Sequence, residues 1–329
     1  MSFKSEEEIR PKNVFKELLA CCEEDAAYLM ANGSFEKVPC PGCGIDKPVP
    51  AFVKHGFEYI HCSNCNSLYN SPRPTQASFN SFYPVSKSSH YFFNFFYPAV
   101  EESRKVKLIP ERVQRVSQFI GKEDKKKVLL DVGAGQGFFF DLMRLQFPDF
   151  EYRVIEPNRL LAETCVSKGY ETIVDFIENV DVWQQEIDFI ICFEVFEHIR
   201  EPENFLHQFK KLLKPGGKIL ITSLCGDGLD INYLRENADI VAPPQHLNFL
   251  SVEGYRSIFS RLGFSATEII TPGKLDVDIV LNKVRDTASL QNNDLFKFIG
   301  LLGDAAKVQF QQFLANNLLS SHIWVIATL

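Results

Sequence analysis

Three groups of residues in this chain have the types and spacing to do chemistry. Cys40-x-x-Cys43 and Cys62-x-x-Cys65 are separated by 18 residues. Each pair can form a knuckle that aims two thiolates at one point, and four thiolates satisfy tetrahedral Zn²⁺. Gly42, Gly44 and Asn64 stand where such knuckles turn. Four protein ligands leave no open coordination position, so this site reads as structural. The second group is Asp131-Val-Gly133-Ala134-Gly135-Gln-Gly137, which follows the apolar Val128-Leu-Leu130. The third is Glu194-Val-Phe-Glu197-His198, with His246 further along. If this segment turns helical, Glu194, Glu197 and His198 share one face. Joined by His246 from a facing loop, they would suit Mg²⁺, Mn²⁺ or a similar ion. The competing reading has no metal: Glu197 orients, and His198 touches the substrate as a general base, with His246 as second candidate. His246 as a structural loop histidine stays open beside both.

These groups need elements to position them. Val128–Leu130 reads as a buried strand and Phe138–Phe147 as a helix. Strand, glycine turn and helix let the backbone approach a nucleotide and point free N–H groups at it. Tyr152–Glu156 is a second strand ending in an acid, followed by Pro157. A carboxylate there can accept both ribose hydroxyls. Ile173–Phe176 reads as a third strand end, with Asp175 and Phe176 beside an adenine. Ile187–Cys192 is a very apolar fourth strand, as a central parallel strand should be. Pro202–Leu213 is a helix, Lys214–Gly217 a turn and Lys218–Thr222 a fifth strand. Residues 224–250 read as a long irregular loop carrying His246. Ser251–Leu262 is a helix and Phe264–Ile270 a sixth strand. Residues 272–319 are mostly helical, and His322–Thr328 is a final strand. Asp276 and Asp278 read as opening a helix.

Before the glycine turn, residues 1–36 form an amphipathic helical segment on the spacing of Val14, Phe15, Leu18, Leu19 and Cys22. Residues 37–70 form a zinc ribbon. Residues 71–120 are a connector with helices near Gln76–Phe82 and Pro98–Ile120, in which Tyr83, Tyr91 and Tyr97 read as packing residues. Residues 121–329 form the nucleotide domain, with 272–319 inserted and Gly121–Lys127 a solvated turn.

Bulk properties narrow the classes. The chain has 329 residues and a formal charge of −7, which argues against nonspecific duplex binding and makes a nucleic-acid partner an unfavoured reading. No apolar run reaches the ~18 residues of a membrane span, and the first residues lack a leader's apolar core, so the expectation is a cytoplasmic protein. Nine cysteines without a secretory signal argue against a disulfide framework. The 30 phenylalanines crowd at Phe92–Phe96, which suits a buried seam or an oligomer contact; the oligomeric state is not read from the sequence.

The ordered set Asp131–Gly137, Glu156, Phe189–His198 and Leu213–Ile221 resembles the class I S-adenosylmethionine-dependent methyltransferases. A nicotinamide dehydrogenase would need a third glycine at 138, where this chain has Phe138. The resemblance implies an α/β, Rossmann-like seven-stranded sheet of order 3-2-1-4-5-7-6, strand 7 antiparallel. It implies S-adenosylmethionine held at Gly133–Gly137, with Asp131 near its amino group, Glu156 on the ribose, Phe193 by the sulfonium, and Glu194 among the cofactor-binding residues. The Glu-x-x-Glu-His pattern with a later histidine also resembles metal-dependent methyltransferases that act on RNA. The ribbon followed by Tyr69-Asn-Ser-Pro-Arg-Pro resembles the N-terminal region of bacterial methyltransferases of sugar and glycan biosynthesis, which implies a nucleotide-linked sugar or glycan precursor as acceptor. A non-catalytic ribbon-based binding protein is the remaining alternative.

Overall fold

The computed structural model describes residues 6–120, 126–291, 294–301 and 303–329. The expected turn at Gly121–Lys127 lies largely outside them. In chain order the strands are β1 (Phe35–Glu36), β2 (Pro48–Lys54), β3 (Phe57–Cys62), β4 (Leu68–Asn70), β5 (Arg73–Pro74), β6 (Val128–Val132) and β7 (Glu151–Ile155). They continue with β8 (Glu171–Ile173), β9 (Ile187–Phe193), β10 (Leu213–Leu224), β11 (Asn248–Phe249), β12 (Ala266–Ile270) and β13 (His322–Thr328). The helices that precede β6 are α1 (Lys12–Asn32), α2 (Gln76–Phe82), α3 (Lys87–Tyr91), α4 (Tyr97–Ser103) and α5 (Ile109–Ile120). Those that follow it are α6 (Phe138–Gln146), α7 (Arg159–Ser167), α8 (Pro202–Leu212), α9 (Leu229–Leu234), α10 (Val252–Arg261), α11 (Asp276–Asp286), α12 (Asp294–Leu301) and α13 (Asp304–Asn316).

Seven strands form one mixed sheet in the spatial order β12-β13-β10-β9-β6-β7-β8. The β10-β9-β6-β7-β8 strands are parallel, and β13 runs antiparallel to both its neighbours. Side chains alternate along a strand, so each strand feeds two cores. Leu130, Ile190, Cys192, Ile219 and Val325 pack under α8 and α10. Leu129, Phe189, Ile191, Leu220 and Trp324 pack under α5 and α6. Burial on both faces is why β9 is apolar at nearly every position.

The cysteine-bearing segment forms a four-stranded sheet of order β11-β4-β3-β2. Its last member, β11, comes from the loop that carries His246, so ribbon and loop share hydrogen bonds. The ribbon's Phe57 and Tyr59 pack with Val277, Val280 and Phe296 of the late helices in a third core.

Several local expectations change. Helical backbone runs unbroken from Lys87 to Ile120: the helix expected at Pro98–Ile120 is present, with a π turn at Arg104–Leu108, and it extends back through α3 and a second π turn at Phe92–Phe96, where a connector was expected. Residues 224–250 are not irregular throughout: they contain α9 and β11, since Ile231 and Leu234 bury against the ribbon core. Lys214–Gly217 is drawn into β10 with a register shift, Gly216 taking φ +76°. The third parallel strand stops at Ile173, before Asp175. Asp276 is the first residue of α11 but does not cap it. Its carboxylate is buried and accepts from Ser320, Ser321 and Gln311, which ties α11 and α13 to the start of β13.

Candidate functional site

The glycine turn sits at the carboxyl end of β6, an interior strand between β9 and β7. Gly133, Gly135 and Gly137 have φ of +78°, +59° and +74°, a region that side chains with a Cβ rarely adopt. Their surroundings differ. A Cβ at Gly133 would lie 2.6 Å from Val195 Cγ2, and one at Gly137 3.1 Å from Cys165 Sγ. A Cβ at Gly135 would meet nothing within 4 Å, so the space on that side of the turn is open. The Gly135 N–H donates to Glu156 Oε2 at 2.8 Å, and the Asn158 N–H donates to Oε1 at 2.9 Å. Glu156 is 5% exposed, and burial raises its pKa above the usual carboxylate range. A carboxylate has about four lone-pair sites, so two bonds leave acceptor capacity for a diol.

This turn opens into a cavity of about 1720 Å³. One drug-sized ligand typically occupies a pocket of ~300–1,000 Å³, so two molecules fit side by side. Gly133, Ala134, Gly135, Glu156, Pro157, Phe176, Phe193 and Glu194 line it, together with Glu197, His198 and His246. Across from the sheet its wall is aromatic and apolar, from Phe15 and Leu18 of α1 to Phe79, Tyr83, Phe92 and Phe96. Tyr83, for which the sequence favours packing over a place in a pocket wall, lines the cavity and meets Phe176 edge-on with centroids 6.1 Å apart.

Three expected cofactor residues do not line the cavity. Gly137 serves helix packing. Asp175 turns back: its Oδ1 accepts from the Phe176 N–H and from Asn179 Nδ2, both at 2.7 Å. Asp131 is 2% exposed beneath the turn, and its Oδ1 has no hydrogen-bond partner among the described residues. Burial pushes its pKa to about 8, against the pull of Arg112.

The expectation of one shared face for Glu194, Glu197 and His198 fails because the segment does not continue as an α-helix. Glu194 takes φ +55°, and only Phe196–His198 form a single 3-10 turn. Glu194 therefore points the other way. Its Oε1 accepts from Arg112 Nη2 (2.9 Å), Thr222 Oγ1 (2.5 Å) and His322 Nε2 (2.9 Å). Burial alone would raise its pKa, but His322 and Arg112 hold it well below the usual carboxylate range. Arg112 also lies over the Phe193 ring, 4.3 Å from its centroid.

Glu197, His198 and His246 do converge, with ligand atoms all within 4.8 Å of one another. The imidazole centroids are 4.7 Å apart. The His198 Nδ1–H donates to the Gln245 carbonyl at 2.8 Å, and the His246 Nδ1–H to the Ile240 carbonyl at 2.5 Å. A carbonyl can only accept, so both rings carry their proton on Nδ1 and keep a lone pair on Nε2. Burial, and for His246 the neighbouring imidazole, lower both pKa values, that of His246 to about 3. Glu197 is 3% exposed and accepts from Ser223 Oγ at 2.8 Å; burial and nearby Glu194 raise its pKa to about 8. The ribbon reaches this group: Tyr59 Oη donates to the His246 carbonyl at 2.8 Å, and the Leu247 N–H donates to the Glu197 carbonyl at 2.9 Å.

The four ribbon cysteines are buried and form no disulfide. Cys40 and Cys65 Sγ lie 3.5 Å apart, as do Cys43 and Cys62 Sγ, and all four fall within 4.8 Å. A tetrahedron with ~2.3 Å metal–sulfur bonds has sulfurs roughly 3.8 Å apart, so this cluster suits one such ion.

Sequence reasoning missed Arg112, His322, Ser223 and Tyr59. Each comes from a different element and meets the site only through the sheet and the ribbon, so no local spacing marked them.

Comparison with known proteins adds the family. Residues 101–269 match the family described as a methyltransferase domain. The ubiquinone biosynthesis O-methyltransferase of Hydrogenovibrio crunogenus is 26% identical over 149 residues, 44% of this chain and 59% of that protein. The tRNA U34 carboxymethyltransferase of Pseudoalteromonas translucida is 25% identical over 185 residues, 53% of this chain and 55% of that protein. The chain thus spans about half the length of the curated relatives it matches. A solved S-adenosylmethionine-dependent methyltransferase from Archaeoglobus fulgidus overlays with a TM-score of 0.48 at 16% identity, covering 71% of this chain and 100% of the other.

Proposed function

Because this chain belongs to the methyltransferase-domain family, we propose that it transfers a methyl group from S-adenosylmethionine to a small-molecule acceptor bound in the same cavity. The observation that carries this reading is the open space beside Gly135, next to Glu156, facing a cavity with room for two reactants. The donor, when bound, supplies an activated sulfonium methyl. Gly133–Gly135 would hold its amino-acid portion, Glu156 its ribose hydroxyls, and Phe176 its base. The aromatic wall keeps water from the reacting atoms. His198 Nε2, a neutral acceptor held by the Gln245 carbonyl, would take the acceptor's proton, with His246 Nε2 as alternate. The acceptor as a nucleotide-linked sugar or glycan precursor rests on the resemblance of the N-terminal region. The relatives' names point instead to ubiquinone precursors and tRNA. The ribbon cysteines would hold Zn²⁺ as a structural ion.

Calorimetry with S-adenosylhomocysteine tests the donor site. Wild type binds; Gly135→Val, which fills the cradle, abolishes binding, and Glu156→Ala weakens it roughly 10- to 100-fold, the worth of charged hydrogen bonds. Wild-type protein that does not bind ends the reading.

A second reading has one specific observation in its favour. Two Nε2 lone pairs and the Glu197 carboxylate form a two-histidine, one-carboxylate set, and both imidazoles have their outer nitrogens fixed by carbonyls. A divalent ion there would polarise an acceptor hydroxyl. Co²⁺ titration distinguishes the readings: d–d absorption that survives Cys40→Ser but disappears in His246→Asn supports the ion.

A further inference from the structure

The helical run from α4 to α5 is rich in bases, and their partners set one apart. Lys105 pairs with Glu101, Lys107 with Glu8, Arg112 with Glu194 and Arg115 with Glu111. Arg104 sits in the π turn, lines the cavity and has no ion-pair partner among the described residues. Its guanidinium carbon lies 5.4 Å from the Tyr97 ring centroid. Its surroundings are unfavourable to a lone cation. Burial disfavours its charge; Tyr97 and Glu194 act the other way, and Arg112 and Arg10 add repulsion. Arg10 lines the same cavity. It lies 3.5 Å from Glu6, its Nη1 makes no hydrogen bond, and its field reaches His246. The cavity lining as a whole mixes acids such as Glu156, Glu178 and Glu194 with bases, so a preference for an anion is local to Arg104 and Arg10.

We propose that Arg104, supported by Arg10, forms an anion-binding site within the cavity that receives a carboxylate or phosphate group of a reactant. Guanidinium presents a planar fork of donors matched to such groups, and removal from water strengthens the pairing. A half-buried cation without a partner costs stability, and a bound anion relieves that cost. Two sources share this chemistry: the amino-acid carboxylate of the donor, and an acidic group on the acceptor. Only the naming of those sources rests on the methyl-transfer reading.

Calorimetry on the full chain, as wild type, Arg104→Gln and Arg104→Lys, tests the site with three probes. These are S-adenosylhomocysteine, 5′-methylthioadenosine (which lacks the amino-acid portion) and inorganic pyrophosphate. If the donor's carboxylate is the anion, Arg104→Gln weakens S-adenosylhomocysteine at least tenfold and leaves 5′-methylthioadenosine unchanged. If the acceptor supplies it, S-adenosylhomocysteine binding is unchanged, while pyrophosphate binding to the loaded protein is lost in Arg104→Gln and partly kept in Arg104→Lys. In either case ligand-free Arg104→Gln melts no lower than wild type, since an uncompensated cation has been removed. Arg104→Gln that binds all three probes as wild type does, or that melts lower without ligand, overturns the proposal. If wild type binds pyrophosphate through Arg104 but no S-adenosylhomocysteine, the anion site stands and the donor reading falls.

Discussion

Two carboxylates three residues apart, Glu194 and Glu197, have opposite protonation tendencies. Glu194 faces Arg112 and His322 and stays ionised; Glu197 faces a serine and two neutral imidazoles and holds its proton more tightly. Burial, against the pull of Glu194, disfavours the charged form of His198 and His246, as suits a base. Replacing His198 by Asn is expected to lower kcat about 10²- to 10⁴-fold while S-adenosylhomocysteine affinity holds, as steady-state kinetics and calorimetry would show. The His198 pKa is depressed, so the acid limb of the pH–rate profile falls below the ordinary histidine value of ~6.5, with activity lost as pH drops through it. A limb at or above that value removes His198 as the base. Asp131 makes a second prediction. Its pKa rises from 3.8 to about 8 on folding, so folding takes up a proton between those values. Its contribution is favourable below the lower pKa and is lost as pH rises to the upper one, at about 1.4 kcal/mol per unit. Asp131→Asn should therefore stabilise the protein relative to wild type by ~1–4 kcal/mol at pH 8, with the gain vanishing near pH 4 in denaturant titrations. A gain independent of pH contradicts this account.

At the scale of elements, the ribbon and the sheet's loops act as one unit. β4 pairs with β11, Asn70 N–H donates to the Leu247 carbonyl, and Asn248 Nδ2 donates to the Ile199 carbonyl. Arg73, 1% exposed, bridges Asn248 Oδ1 and the Arg200 carbonyl. The segment bearing His246 is thus held between the cysteine cluster and the turn bearing His198. Tyr59→Phe removes one buried donor and orphans the His246 carbonyl. It should cost about 1–2 kcal/mol of stability and lower kcat more than it changes S-adenosylhomocysteine affinity. Equal losses in both would place the effect on the fold as a whole. Cys40→Ser, or zinc chelation, is expected to lower the Tm and to increase hydrogen exchange at residues 240–250, because metal binding by such a cluster is folding energy. At the glycine turn, Gly133→Ala combines a positive φ with a 2.6 Å contact to Val195, and a loss of about 1–3 kcal/mol should appear in denaturant midpoints.

At the scale of the molecule, the cavity belongs to neither half of the chain. The sheet supplies the glycine turn, Glu156 and the histidines; α1, α2 and the long run from α3 to α5 supply the opposite wall. Closure over two reactants is what a group transfer needs, since water would compete for the transferred group. No helix among the described residues is long and apolar enough to cross a membrane. Saturating S-adenosylhomocysteine at about 100 times its Kd should stabilise the folded state by about 2.7 kcal/mol, read as a rise in Tm.

Composition and periodicity were enough to mark the α/β core, the cysteine cluster, the glycine turn and the strand-end acid. Each of these rests on neighbours within one turn or one strand, where spacing and sterics act directly. The seven-stranded mixed sheet is an implication of the family resemblance of the ordered motifs, and the folded chain contains such a sheet. Which acid meets which base was settled by tertiary structure. Glu194 and Glu197 read alike in sequence, but the left-handed backbone at Glu194 turns it toward Arg112 on α5 and His322 on β13, partners 82 and 128 residues away. In sequence Asp175 reads as lying beside an adenine, and Asp131, by resemblance, as lying near the cofactor's amino group; in the fold Asp175 caps its own turn and Asp131 is buried beneath the glycines. Their environment is made by elements that local sequence does not encode. For the same reason only the folded chain reveals that the ribbon holds the His246 loop, and that Arg104 lines the cavity with no ion-pair partner among the described residues.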